Sequence, residues 1–168
     1  MSVTIRPEQP GDEPAIRALV DAAFHQAAWA DGNEGELVER LRSDGDLALS
    51  LVAVNADKAI IGHIAFSPIT IENAHGEWYQ LAPVSVIPSG QNSGIGTRLI
   101  EAGKTALEDR GGSGIALVGS PEYYSRFGFT GDHQLELSEE LDPFLQILIL
   151  DGSMPSGKLT LATAFDED

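Results

Sequence analysis

The sequence predicts a mixed α/β domain in which helices flank a central β-sheet. Segments with apolar residues three and four positions apart, the period of a helix, alternate along the chain with short extended segments. The longest extended segment, Trp78–Val86, is mostly apolar, which is typical of a strand in the middle of a sheet. The 168 residues suffice for one domain with a real core. We therefore predict a single domain over residues 1–168.

The first part of the chain predicts a strand followed by two helices. Residues 3–6 alternate between polar and apolar as a short strand does. Asp12 is a favourable N-cap for the first helix, whose apolar residues fall on one face. The second helix is predicted to follow Asn33, with Glu36 three residues later as the second member of a capping box, and to end near residues 43–45.

The next part predicts an antiparallel hairpin and then the central strand. Residues 47–54 and 59–66 are extended, and the polar tip at residues 55–58 has the composition of a hairpin turn. We predict a loop over residues 67–77, after which Trp78–Val86 forms the third strand of this group.

The second half predicts a long helix, a strand, a brief helix and two more strands. Residues 95–108 carry a helical stripe of apolar residues that Gly111 and Gly112 terminate. The remaining predicted segments are a strand at Gly114–Val118, a brief helix at 121–127, and strands at 146–150 and 159–164. The predicted order is therefore β-α-α-β-β-β-α-β-α-β-β.

The charge and composition exclude several classes of partner. The net charge of −16 repels phosphate backbones, so we predict no nucleic-acid partner. No apolar run approaches the ~18–20 residues that a membrane helix needs. The N-terminus lacks the apolar core of a signal peptide, and we predict no membrane association and a cytoplasmic location.

The absence of cysteine narrows the chemistry. It removes disulfides, thiolate metal ligands and an acyl intermediate on an enzyme cysteine. The four histidines show no spacing typical of a metal site, so we predict no metal cofactor.

A glycine-rich turn is the strongest local signal for function. Residues 91–97, with sequence QNSGIGT, lie between the Trp78–Val86 strand and the following helix. The first amides of a helix have no partner within the helix, and the helix dipole adds partial positive charge there. Gly94 and Gly96 carry no Cβ that would hold an anion away from these donors. The turn therefore suits a pyrophosphate.

Three other interpretations of this turn were weighed. A Walker loop requires lysine after its last glycine, where this chain has Thr97. The dinucleotide-binding fingerprint requires a third glycine at position 99, which is Leu99 here. The glycines also fit a role limited to allowing a tight turn between strand and helix.

The pattern Gln91-x-x-Gly94-x-Gly96 resembles the Gln/Arg-x-x-Gly-x-Gly/Ala signature of the GCN5-related N-acetyltransferase superfamily. The stretch that begins at Leu81 is similar to the YhbS-like subgroup, and the order of elements also matches. The resemblance implies the acyl-CoA N-acyltransferase (GNAT) fold, acetyl-CoA as cosubstrate and a small-molecule amine or peptide as acceptor. Because dimers are common in that family, the resemblance also implies a possible homodimer.

The resemblance further implies residue roles. Main-chain groups of Val84 and Val86 would bind the pantetheine arm, much as an added strand pairs with a sheet edge. The amides that would bind the pyrophosphate belong to the turn, namely Gln91, Asn92, Ser93, Gly94, Ile95, Gly96 and Thr97.

A second motif places a tyrosine. Residues 119–129, GSPEYYSRFGF, are similar to the family's aromatic-Tyr-x-x-x-Gly-Phe run, in which the tyrosine position is Tyr124. In many members of that family the tyrosine protonates the departing CoA thiolate, so the resemblance implies Tyr124 as general acid. The alternative is that Tyr123 and Tyr124 both pack as aromatic residues.

No general base can be assigned from the sequence. Many relatives carry a carboxylate on the central strand, where this chain has Leu81, Ala82 and Pro83. Glu72 and Glu77 are candidates for action through water. This gap keeps a second function open, a regulatory domain that binds acyl-CoA without catalysis. The third candidate function is that of a nucleotide-binding α/β domain.

Overall fold

The computed structural model describes residues 2–24, 34–90 and 93–166. These residues group into two compact units. The first comprises Met1–Phe66 with Ala82–Gly103, and the second comprises Ser67–Leu81 with Lys104–Asp168.

The described residues form eight strands, four α-helices and several short 3₁₀ turns. The strands are β1 (Thr4–Pro7), β2 (Leu49–Val54), β3 (Ile60–Asn73), β4 (Trp78–Val86), β5 (Gly114–Val118), β6 (Gln134–Glu136), β7 (Leu145–Ile149) and β8 (Ser156–Thr160). The helices are α1 (Glu13–Phe24), α2 (Glu34–Ser43), α3 (Ile95–Asp109) and α4 (Pro121–Tyr124). The 3₁₀ turns are Pro88–Gly90, Ser125–Phe127, Asp142–Phe144 and Thr163–Phe165.

The first unit contains the strand order β1-β2-β3-β4. The β1–β2 and β2–β3 pairs are antiparallel, and His63 of β3 lies opposite Val52 of β2. Val52 is buried with Ile16 and Val20 of α1 and with Val38 of α2. Both helices therefore pack on the face of the sheet to which Val52 and His63 point.

Helix α3 covers the opposite face of the first unit. Gly62 is adjacent to His63 and so points to the other side of the strand. A Cβ built on Gly62 would lie 3.0 Å from the side chains of Ile95 and Leu99. The lack of a side chain at Gly62 thus lets the start of α3 lie directly on β3.

The second unit contains the order β3-β4-β5-β7, with β8 paired to the outer part of β3 and β6 paired to β8. The β4–β5 and β6–β8 pairs are parallel, and the β5–β7 and β3–β8 pairs are antiparallel. The sheet is therefore mixed, and the predicted fold class is confirmed. The core of this unit consists of Ile69, Trp78, Ala116, Leu135, Leu145, Ile147 and Leu159.

The structure differs from the predicted order in its C-terminal half. Strand β6 was not predicted, so three strands follow α4 where two were expected. β3 continues to Asn73, through part of the segment predicted as a loop, because its outer part pairs with β8. The predicted helix at residues 121–127 is a single α-turn followed by the 3₁₀ turn Ser125–Phe127. The last strand begins at Ser156 and ends at Thr160, earlier than the predicted 159–164.

Candidate active site

The turn before α3 has the backbone geometry that suits an anion. Gly94 has φ of +86°, and its carbonyl accepts a hydrogen bond from the Arg98 amide at 3.1 Å, the first bond of the helix. Ser93 Oγ donates to the carbonyl of Gly90, which closes the turn. Of the residues predicted for this site, Gln91 and Asn92 lie outside the described residues.

The amides at the start of α3 are the donors of this turn. Ile95, Gly96 and Thr97 occupy the first helical turn, where an N–H has no carbonyl four residues earlier within the helix. Ile95 is buried and anchors the helix, whereas Ser93, Gly94 and Thr97 are exposed. The arrangement leaves backbone N–H groups and the positive end of a helix dipole at the surface, which fits a diphosphate.

Strand β4 carries the two residues, Val84 and Val86, that are predicted to make main-chain contacts with the coenzyme. Val84 and Val86 are half-buried and alternate with Ser85, which is 2% exposed. The parallel ladder pairs Trp78, Tyr79 and Gln80 with residues 114–116 of β5, and β4 then continues beyond that ladder to Val86. Val84 therefore lies on a stretch of β4 past its described pairing with β5, where an extended ligand can use main-chain groups.

Tyr124 lies at the junction between the short helix α4 and the 3₁₀ turn Ser125–Phe127. Ser120 caps α4 by accepting a hydrogen bond from the Tyr123 amide, and Gly128, with φ of +94°, ends the following 3₁₀ turn. The Tyr124 ring makes an edge contact with Phe129 at a centroid distance of 6.1 Å. Burial, and to a lesser extent the neighbouring Tyr123, raises the pKa of Tyr124 to about 12. Its hydroxyl is therefore protonated at physiological pH.

Two cationic side chains contact this segment, Lys104 from α3 and Arg126 from within it. Lys104 of α3 donates to the carbonyl of Phe127 at 2.8 Å and so fixes the end of the 3₁₀ turn. The guanidinium of Arg126 lies 4.6 Å from the centroid of the Tyr123 ring. Tyr123 also contacts Tyr124 edge-on at 4.9 Å. Tyr123 is thus a packing residue that supports Tyr124 from one side.

Both candidate bases from the sequence are engaged elsewhere. Glu77 accepts a hydrogen bond from the Tyr79 hydroxyl at 2.8 Å, and Glu72 accepts one from the Lys158 amide at 3.4 Å. Each carboxylate is tied to its own neighbourhood in the second unit, and neither is assigned as a base.

A partly buried network in the first unit was missed by sequence reasoning. Arg42 donates to both carboxylate oxygens of Glu8, at 2.9 and 3.1 Å. Glu8 accepts from Ser50 Oγ at 2.7 Å, and Ser50 Oγ lies 2.8 Å from His63 Nε2. His63 is fully buried, and this burial lowers its pKa to about 4. The sequence signal available was a lone polar ring within the apolar segment 60–66.

Strands β3 and β4 also carry buried polar atoms whose partners are missing. In the described part of the chain, His63 Nδ1 and Ser67 Oγ of β3 have no hydrogen-bond partner. The same is true of Trp78 Nε1, Gln80 Oε1 and Ser85 Oγ of β4. Buried polar groups usually have partners, so each such atom requires an explanation.

The described residues contain neither a candidate metal centre nor a candidate membrane-spanning helix. Residues 2–24, 34–90 and 93–166 contain no group of three or more His, Asp or Glu side chains placed to hold a metal ion. No helix within these ranges has the length and hydropathy that crossing a bilayer requires.

Several known proteins are similar to this chain in sequence and fold. Residues 14–129 match the model of the Acetyltransferase (GNAT) family. The chain is 37% identical over 125 residues to the Uncharacterized N-acetyltransferase YhbS of Escherichia coli (strain K12), a match that covers 74% of this chain and 72% of that protein.

Two solved structures are similar over nearly the whole chain. One is a GNAT family acetyltransferase from Brucella melitensis in complex with acetyl-CoA, with a TM-score of 0.86, 41% identity and coverage of 98% of this chain and 99% of that one. The other is Escherichia coli YhbS in complex with CoA, with a TM-score of 0.88, 30% identity and coverage of 97% and 91%. Since the family model spans more than half of its residues, this chain belongs to the acetyltransferase (GNAT) family.

Proposed function

We propose that the protein transfers the acetyl group of acetyl-CoA to the amine of a small molecule, an amino acid or a peptide. The observation that carries this proposal is the exposed turn at Ser93 and Gly94, which lies between β4 and α3 and leads into α3. The similar structures from Brucella melitensis and Escherichia coli hold acetyl-CoA and CoA, respectively, which supports this cosubstrate.

The turn and β4 would bind the coenzyme through main-chain groups. Amides of Gln91, Asn92 and Ser93–Thr97 would bind the pyrophosphate, and Val84 and Val86 would pair with the amide-bearing pantetheine arm. The chain carries a net charge of −16, so local donors must overcome long-range repulsion of a polyanionic coenzyme. The positive end of the α3 dipole supplies part of that local attraction.

Tyr124 would act as the general acid. A thiol of pKa near ~8.5 leaves more readily when a neighbouring O–H donates as charge develops on sulfur. The raised pKa of Tyr124, about 12, keeps its hydroxyl protonated for this role. The Tyr123 and Phe129 rings would hold it in place.

Direct transfer in a ternary complex is the simplest mechanism. The amine nitrogen attacks the thioester carbonyl, the bond to sulfur breaks, and CoA leaves as the thiol with the proton from Tyr124. The nitrogen releases one proton to solvent as the amide forms, and Tyr124 regains a proton from solvent. The absence of cysteine removes the usual thiol route to an acyl-enzyme. Holding amine and thioester together can supply roughly 7–11 kcal/mol of the barrier reduction.

A second function, acyl-CoA binding without catalysis, is favoured by one observation. Leu81, Ala82 and Pro83 occupy the part of β4 where many relatives carry a carboxylate, and none of them can accept a proton. Such a regulatory domain would bind acetyl-CoA and show no turnover. A homodimer stays a prediction from family habit.

Thiol release separates these functions. The protein is mixed with acetyl-CoA and a panel of primary amines, and free thiol is measured with a disulfide reagent, which the cysteine-free chain does not consume. We expect amine-dependent release and a matching acetylated amine by mass spectrometry. Tight acetyl-CoA binding without release from any amine would favour the regulatory domain. Stabilisation by NAD or ATP but not by CoA would contradict both.

A further inference from the structure

The hydrogen-bond chain that ends at His63 fixes the tautomer of its ring. Ser50 has one hydroxyl hydrogen, and the Glu8 carboxylate at 2.7 Å can only accept it. The short contact between Ser50 Oγ and His63 Nε2 at 2.8 Å must then use a hydrogen on Nε2. Nδ1 is therefore the unprotonated nitrogen, an acceptor with its lone pair in the ring plane.

This acceptor is buried and has no partner among the described residues. His63 is 0% exposed, and Nδ1 lacks a hydrogen bond. Leaving a buried acceptor unsatisfied costs about 1–3 kcal/mol. Arg42 donates two hydrogen bonds to Glu8, and Glu8 accepts one from Ser50. This series of hydrogen bonds holds the His63 imidazole in one orientation. Because Nδ1 is held in place although its lack of a partner costs free energy, we infer that a bound ligand supplies the hydrogen-bond donor.

A second unpartnered group belongs to the neighbouring strand of the same unit. The Ile87 amide donates to the Ile61 carbonyl at 3.0 Å, and an antiparallel register continued inward from this bond places residue 85 opposite residue 63. Residues directly opposite on antiparallel strands share a face of the sheet. Ser85 is 2% exposed, and its Oγ also lacks a partner in the described part of the chain.

We propose that the substrate that receives the acetyl group is a primary amine, bound in its neutral form. His63 Nδ1 and Ser85 Oγ accept hydrogen bonds from its two N–H hydrogens. With both hydrogens held, the nitrogen lone pair is left to attack the thioester carbonyl. The proposal rests on the acetyltransferase function proposed above and names the subsite that selects the acceptor. In this arrangement His63 and Ser85 bind substrate, and Arg42, Glu8 and Ser50 are positioning residues that act through His63.

The charges around the ring agree with this role. Burial is the main cause of the low pKa of His63, about 4, while the Glu8 carboxylate raises it and the Arg42 guanidinium lowers it. The ring therefore stays neutral at physiological pH and keeps its lone pair. Because an ammonium ion is penalised in the same buried surroundings, the site favours the neutral amine, which is the nucleophilic form.

Nitrogen-15 NMR of the intact protein, labelled on histidine and saturated with CoA, tests amine capture directly. In the free protein, we expect a proton on Nε2 of His63 and none on Nδ1. Titration with methylamine at pH 8 should shift the Nδ1 resonance of His63. His133 is an internal control, since its Nε2 bonds the Leu145 carbonyl and its Nδ1 accepts from the Leu135 amide. A proton on Nδ1, or a His63 resonance unmoved by methylamine, would overturn the proposal.

Kinetics of three variants supply a second measurement. The assay uses acetyl-CoA and the amine that the wild type acetylates fastest. His63→Leu and Ser85→Ala should each raise the KM for the amine by about five- to tenfold, since each loses one hydrogen bond, and should leave the Kd for acetyl-CoA within twofold. His63→Asn should recover part of the loss, because its amide oxygen can replace Nδ1 as acceptor.

The matched control is His133→Leu, which removes a histidine whose nitrogens are already occupied and should leave the amine KM unchanged. An unchanged amine KM in folded His63→Leu, with amine acetylation intact in the wild type, would sink the subsite and leave the transferase function standing. Failure of the wild type to bind acetyl-CoA would instead sink the proposed function.

Discussion

A Cβ atom on Gly119 would lie 2.7 Å from Cε2 of Tyr124, so the tyrosine ring occupies the space that any other residue at position 119 requires. Gly119 follows the last residue of β5, Val118, and carries no side chain of its own. The position of the proposed general acid therefore depends on a residue five positions earlier. This contact gives the first prediction.

Gly119→Ala should displace the Tyr124 ring and lower kcat by about ten- to hundredfold, because small misplacements of a reacting group are costly. The Kd for acetyl-CoA should change little. Gly131→Ala is the matched control, since the nearest atom to a Cβ there is the Leu145 carbonyl oxygen at 4.0 Å. Steady-state kinetics and calorimetric titration with acetyl-CoA check both variants. Full activity of Gly119→Ala would show that the ring position is unimportant.

Tyr124→Phe should reduce kcat by about a hundredfold or more while acetyl-CoA binding persists, since only the proton donor is removed. The pKa of Tyr124 is raised to about 12, and its acid form is the one below that pKa. The wild-type kcat should therefore show no loss of this acid between pH 7 and 10. A kcat–pH profile of both proteins is the measurement. Equal kcat values would remove Tyr124 from the mechanism.

Gly94→Val should weaken acetyl-CoA binding strongly, because Gly94 has φ of +86° and a β-branched residue resists that conformation. No atom lies within 4 Å of a Cβ there, so strain rather than collision is the cause. Gly94→Asn, which tolerates positive φ, should bind better than Gly94→Val.

Gly45→Val is the control for Gly94→Val. Gly45 has φ of +79° and equally open surroundings, so the substitution carries a similar strain outside the turn. It should lower the free energy of unfolding without changing the Kd for acetyl-CoA. Isothermal titration and urea unfolding of the three variants give the comparison, and undiminished binding by Gly94→Val would reject the turn as the pyrophosphate site.

Stability should fall as the pH is lowered from about 6.5 to about 4. His63 has a folded-state pKa of about 4, below its ordinary value of 6.5, so in this interval the unfolded chain binds a proton that the folded chain does not. The loss should reach about 3 kcal/mol at the bottom of the interval. Urea unfolding at several pH values should show that the free energy of unfolding of His63→Asn depends less steeply on pH than that of the wild type. Parallel slopes for the two proteins would contradict the buried neutral ring.

Added salt should lower the KM for acetyl-CoA at modest ionic strength. The net charge of −16 repels the polyanionic coenzyme, and ions screen that repulsion over roughly 10 Å at 0.1 M. The KM is measured from low salt upward with the amine concentration fixed. A KM that climbs steadily from the lowest salt would refute the repulsion.

The sequence predicted elements well where the signal was local. The apolar run Trp78–Val86 and the short run Gly114–Val118 are strands with the predicted bounds. The tip at residues 55–58 is a turn in which Asn55 Oδ1 accepts from the Asp57 and Ala59 amides. In each case the residues that specify the element lie within it.

Elements that depend on distant partners were missed. The outer part of β3 alternates buried Ile69 with exposed Pro68 and Thr70, and it is extended because β8 pairs with it. β6 has three residues and one buried side chain, Leu135, so its pattern is too short to read. The network at His63 connects Glu8 with His63, which are 55 positions apart in the sequence. No local pattern predicts a contact between such distant residues.

The close approach between α3 and β3 has a consequence for how the turn responds to its ligand. A Cβ on Gly103 would overlap the Phe66 ring at 2.5 Å, and Gly62 lies directly beneath Ile95 and Leu99. With contacts this close at both positions, the first three turns of α3 pack tightly on β3. We therefore expect adjustment to an incoming coenzyme to occur at Ser93 and Gly94, while the position of α3 on β3 changes little.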